Sequence, residues 1–187
     1  MKAMNSLLRN RSLLAVLTIV TLSAISSCTD SNGGVASPVT SASTNTRTTS
    51  GNAAVNPFGD IKACSVLNNA LAGQDFTPAV RDSAGGDNGC KSTKAQYGAL
   101  SLALQPDLGI NDLNADKSKQ FPGDVNKRNA IQVREGLGTT GSCAIAIEVT
   151  QKSRALLSAS LSGTTDEACT FVYSVAEKVE PQLPKGN

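Results

Sequence analysis

The hydrophobic positions between residues 56 and 187 follow two rhythms. Leu100, Leu102 and Leu104 alternate with Ser101 and Ala103, and Cys143, Ile145, Ile147 and Val149 alternate with Ala144, Ala146, Glu148 and Thr150. A period of two puts every second side chain on one face, which marks a half-buried strand. Cys90 and the residues after it, Ile131 with Val133, and the run 155–161 after a short turn at 151–153 bring the expected total to about five strands. At the two ends the spacing changes to three and four. Asp60 is placed to cap a helix carrying Cys64, Leu67 and Leu71, with Gly73 as its terminator. Ala168, Phe171, Val172, Val175, Ala176 and Val179 form one apolar stripe on a helix from about 166 to 180. Thr164 and Glu167 stand in capping-box spacing before that helix, and Pro181 stops it. Residues 82–89 and 106–124 read as polar loops. The predicted fold is α+β: an antiparallel sheet of about five strands, flanked by an N-terminal and a C-terminal helix and covered on one face.

The first 55 residues follow neither rhythm. Lys2, Arg9 and Arg11 precede an apolar run from Leu13 to Ile25, with no acidic residue before Asp30. The run suits a secretory leader and is short for a membrane span, which needs about 20 apolar residues. It ends in Ile25-Ser26-Ser27-Cys28, which resembles the bacterial lipobox. That resemblance implies a diacylglyceryl group on the Cys28 sulfur and cleavage just before it, so that acyl chains hold the mature chain on a membrane. From 29 to 54, eleven of 26 residues are Ser or Thr. Such a segment buries too little apolar area to offset its ordering entropy and reads as a disordered tether with a root-mean-square reach of ~25–30 Å. Thr40, Thr44, Thr46, Thr48 and Thr49 are possible carriers of O-linked sugar. The expected organisation is a leader over 1–27, a lipidated cysteine and tether over 28–55, and one domain over 56–187.

Composition narrows the chemistry. The 187 residues contain no His, which removes Ser–His–Asp and Cys–His nucleophile systems and all His-ligated metal sites. Lys and Arg number 17 against 15 Asp and Glu, and loss of the leader leaves 14 against 15. A nucleic-acid binder would carry a basic face, so no nucleic-acid partner is expected.

Four cysteines remain after Cys28. In an exported domain they make two disulfides most economically. Cys64 to Cys90 and Cys143 to Cys169 are each 26 residues apart, and the equal spacing favours this pairing over the other two connectivities. Each bridge would pin one terminal helix to the sheet, contributing ~3–4 kcal/mol in the chain-entropy model. No C-x-x-C spacing supports a zinc site.

Pro57-Phe58 followed by Cys64-Ser65-Val66-Leu67, then Gly89-Cys90, Gly141-Ser142-Cys143, Cys169 with Ala176 and Val179, and a terminal Leu183-Pro184 complete the pattern begun by the lipobox and the Ser/Thr-rich segment. Over about residues 56–184 the chain resembles an uncharacterised family of actinobacterial lipoproteins, the domain of unknown function numbered thirty-five fifty-eight. It departs from that family where Lys91-Ser92 stand in place of an aromatic residue close to the second cysteine. The resemblance implies export and anchoring and brings no established activity.

Three motifs suggest chemistry and fall short of it. Gly136-Leu137-Gly138-Thr139-Thr140-Gly141 has the dinucleotide spacing, but a strand follows where a helix is needed, so a hairpin loop is expected. Asp112, Asn114, Asp116, Ser118 and Gln120 alternate like half an EF-hand loop, yet Lys117 occupies the position of the turn glycine and Gly123 that of the bidentate Glu. Glu135 and Glu148 are a conceivable carboxylate pair, and no S-x-x-K is present in the domain.

The expected function is therefore a non-enzymatic, lipid-anchored binding module for an envelope protein or component, on the extracytoplasmic face of the cell membrane and without a cofactor. An alternative is a carrier of a lipid or small apolar ligand, for which Ala99, Ala103, Ala144, Ala146 and Ala159 would leave room. An enzyme is a third, weaker alternative. Phe121, beside Pro122-Gly123, is the aromatic least explained by a strand or helix pattern. It is the expected anchor of a partner surface on the 106–124 loop.

Overall fold

The computed structural model describes residues 56–185. The expected leader over 1–27, Cys28 and the expected tether to residue 55 lie outside the described residues. In chain order the elements are α1 (Ala63–Ala70), β1 (Val80–Arg81), β2 (Gly89–Lys94), β3 (Gly98–Gln105), β4 (Gln120–Val125), β5 (Arg128–Arg134), β6 (Ser142–Thr150), β7 (Ser153–Leu161) and α2 (Thr165–Val179). The strands form one antiparallel sheet in the order β1-β2-β3-β7-β6-β5-β4. The α+β class holds, with seven strands instead of five.

The two additional strands are the edges. β1 has two residues, too few to show a period. β4 lies almost wholly inside the stretch read as a loop, because Gln-Phe-Pro-Gly-Asp-Val has no alternation and carries three residues that strands disfavour, Pro122, Gly123 and Asp124. Its pairing is imposed by β5 through a two-residue turn. Asn126 and Lys127 have φ of 50° and 71°, the left-handed pair of a type I′ hairpin.

One face of the sheet holds the main core. Leu100, Leu102 and Leu104 of β3, Leu157 and Ala159 of β7, and Cys143, Ile145 and Ile147 of β6 are all buried against α1 and α2. The opposite face was expected to be open and is covered in part. Ile110, Leu113 and Ala115, from the stretch between β3 and β4, pack on Ile131, Val133, Ala144 and Leu156. Arg154 of β7 holds this strap down. The residue is 5% exposed, and its guanidinium donates to Gln105 Oε1 at 2.6 Å and to the Gly109 carbonyl at 2.8 Å. Burial lowers its pKa, and the nearby Asp112 carboxylate opposes that shift.

The helices start in different ways. α2 is capped as the spacing indicated: Thr164 Oγ1 accepts from Glu167 N at 3.2 Å, and Thr164 N donates to Glu167 Oε2 at 2.7 Å. Asp60 does not cap α1. Lys62 stands at the cap position with no side-chain bond. Asn88, just ahead of β2, accepts from Ala63 N at 2.9 Å and donates to the Ile61 carbonyl at 2.8 Å. A cap supplied from 25 residues away leaves no local trace in the sequence. Cys64 joins Cys90 and Cys143 joins Cys169, with Cα–Cα separations of 5.1 and 5.0 Å.

Candidate functional site

The turn at Asn126-Lys127 also sets the chemistry of the free β4 edge. A two-residue hairpin closes on a hydrogen-bonded pair, here Val125 with Arg128, and hydrogen-bonded and non-bonded pairs then alternate. Gly123 with Ala130 and Phe121 with Gln132 are bonded pairs, and Pro122 opposite Ile131 is not. The Pro122 nitrogen therefore points outward and removes a donor from the exposed edge, a standard guard against strand addition. A partner at this edge has side chains to read rather than a free backbone ladder.

Those side chains form a small apolar notch. Phe121, Gly123 and Val125 share the helix-bearing face, and Tyr173 of α2 closes the far wall. The notch has a volume of about 190 Å³. Its floor is Val125 and Ile145, each 1% exposed, together with Ala130. Its walls are Phe121 and Tyr173, which remain 47% and 38% exposed. The Tyr173 hydroxyl donates to the Asp124 carbonyl at 3.3 Å, tying helix to edge. A Cβ at Gly123 would meet nothing within 4 Å, so that position is open to a side chain.

Phe121 thus stands on an edge strand and not in a loop. Tyr173 is its counterpart across the notch. On α2 it falls off the apolar stripe, and an off-stripe aromatic was the signal that could have paired the two. Phe171, read as part of the core stripe, is only half-buried. It stacks on Phe76 at 5.6 Å between ring centroids, and Tyr97 meets the two rings edge-on at 6.0 and 5.4 Å. This trio clasps the β2–β3 hairpin to α2. The Tyr97 hydroxyl is pushed up in pKa by burial first and by the Glu167 carboxylate second.

The remaining candidates are used locally. Residues 136–141 close the β5–β6 hairpin. Asp112 accepts from Gly109 N at 2.7 Å, and Asp116 accepts from both the nitrogen and the hydroxyl of Ser118 at 2.9 Å. These Ser118 bonds hold the Asp116 carboxyl below its usual pKa. Among the described residues no three His, Cys, Asp or Glu side chains gather as a metal site. Glu135 bonds Lys119 at 2.9 Å, which lowers its pKa, and Glu148 bonds Asn129 at 2.7 Å. Six ladder positions, about 20 Å, separate these two carboxylates, too far for them to act as a pair. A wider cleft of about 590 Å³ opens beside Lys127, Arg128, Glu148 and Glu180. It is polar, and Arg128 is already paired with Glu180 at 2.8 Å.

Compared with protein-family models, curated proteins and solved structures, the chain matches none.

Proposed function

We propose that the chain is a lipid-anchored, non-enzymatic binding module of the cell envelope. Acyl chains on Cys28 hold it at the extracytoplasmic face of the membrane, and an envelope protein docks at the β4–α2 notch with Phe121 as anchor. The notch carries this reading: two exposed aromatic walls flank a buried aliphatic floor. Aromatic anchors beside a small apolar pocket are the usual energetic centre of a protein interface. Small-molecule sites usually measure about 300–1,000 Å³. At about 190 Å³, the notch suits one inserted side chain better than a whole carried ligand. The carrier reading has less support, because Ala146 and Ala159 are 0% exposed and a Cβ on Gly85 would lie 2.6 Å from that of Ala103. Small residues there accommodate close approach. The lipobox pattern Ile25-Ser26-Ser27-Cys28 supports the anchoring half of the reading.

Crosslinking in the native envelope tests the docking half. Phe121→Ala empties one wall, and Gly123→Leu fills the notch from a position with room for it. Both variants should keep the melting temperature and lose the crosslinked partner that the unaltered chain retains. An unchanged crosslink pattern in both overturns the site. Cys28→Ala should abolish the acyl-modified N-terminal peptide seen by mass spectrometry. If the unaltered chain yields no such peptide, anchoring fails independently of docking.

A further inference from the structure

The two disulfides have different access to solvent. Cys143 and Cys169 are 1% and 5% exposed, closed between β6 and α2. Cys90 is 2% exposed, but its partner Cys64 is half-buried, and both line an open cleft of about 530 Å³. Lys62 and Arg81 line the same cleft, with Asp87 as its one carboxylate. Arg81 stands opposite Cys90 in the β1–β2 ladder. Cys64 is the second residue of α1, whose first turn carries no acidic side chain. Positive surroundings and a helix N-terminus both favour a thiolate.

We propose that Cys64–Cys90 is a thiol–disulfide exchange site open to an extracytoplasmic dithiol, while Cys143–Cys169 is a closed structural bridge. A thiolate of the dithiol attacks Cys64 Sγ. The Sγ–Sγ bond breaks, and its electron pair leaves on Cys90 Sγ, in the cleft that Arg81 also lines. The second thiolate of the dithiol then attacks the dithiol's own first sulfur, closes its disulfide and expels Cys64 as a thiolate at the start of α1. The protein bridge gains two electrons, the dithiol loses two, and the dithiol's two protons pass to the protein thiolates or to solvent. α1 stays docked throughout, through the Asn88 bonds and the buried Phe58 and Leu67, so the step needs no global unfolding. The exchange site is built from the described residues alone; the extracytoplasmic address of the dithiol rests on the proposed export, and the docking reading is not used.

The test uses the oxidised full chain, with any free Cys28 thiol blocked beforehand. Dithiothreitol is added without denaturant, samples are quenched with iodoacetamide over time, and peptide masses report each cysteine. Cys64 and Cys90 should label at least about tenfold faster than Cys143 and Cys169, with the far-ultraviolet circular dichroism unchanged. Replacing both cations, Lys62→Gln with Arg81→Gln, should slow the first bridge about fivefold and leave the second as it was. Opening of both bridges at one rate, opening only as the dichroism is lost, or an unchanged rate in the double variant overturns the proposal.

Discussion

The two helix–sheet corners are built to one plan and hold together differently. At each, a disulfide of sequence separation 26 ties a terminal helix to the sheet. α2 runs 15 residues, caps itself and buries a stripe that includes Val172, Val175 and Val179 at 0% exposure. α1 runs eight residues, takes its cap from Asn88 and leaves Cys64 partly open. In the chain-entropy model equal loops constrain the unfolded chain equally, at ~3–4 kcal/mol each. Any difference in what the two bridges contribute must therefore come from the folded state. Loop length sets one part of a disulfide's effect, and burial is expected to set the rest.

The largest effect should come from the α2 corner. Replacing Cys143 and Cys169 together by Ala should cost about 4–5 kcal/mol in denaturant unfolding, because the lost crosslink is joined by a small buried void. Replacing Cys64 and Cys90 together should cost about 3–4 kcal/mol, the crosslink alone, since the open cleft beside Cys64 leaves no buried void to add. Equal losses would show that burial adds nothing, and the comparison would fail.

Caps provide the next test, with the order of the corners reversed. Asn88→Ala removes two partly buried bonds at once and should destabilise by about 2 kcal/mol. Thr164→Ala should cost about 1 kcal/mol, the usual value for one capping side chain. Asn88→Ala should also speed reduction of Cys64–Cys90 and leave Cys143–Cys169 unchanged, which differential alkylation would read directly. If Thr164→Ala proves the more costly, α1 does not depend on its borrowed cap.

The smallest effect on stability belongs to the notch. Phe121 is 47% exposed on an edge strand, so Phe121→Ala should change unfolding free energy by less than about 1 kcal/mol. A loss of 3 kcal/mol or more, the range of a buried aromatic, would make Phe121 a core residue and remove it as an anchor.

How much could be read along the chain follows from the range of the forces. β6, β3 and α2 were legible because alternation, a broad apolar stripe and the Thr164–Glu167 box act between residues a few positions apart. β4 was hidden because its strand character comes from β5 across the hairpin, against the preferences of its own Pro122 and Gly123. Phe121 stood out as an unexplained aromatic, but the notch depends on Tyr173, 52 residues later. The strap over the second sheet face was hidden too, since Arg154 reads as an ordinary polar residue of β7 until Gln105 and Gly109 come to meet it.

Local pattern was thus enough to establish the α+β class, five of the seven strands, both helices and, through equal spacing, which cysteines pair. Periodicity and capping are near-neighbour effects, and they survive in the order of residues. The edge strands, the cap on α1, the covering of the second face and the unequal exposure of two equally spaced disulfides came from packing. Exposure is set by whatever segment lands on a side chain from elsewhere in the chain, and no spacing along the backbone encodes that distance in space.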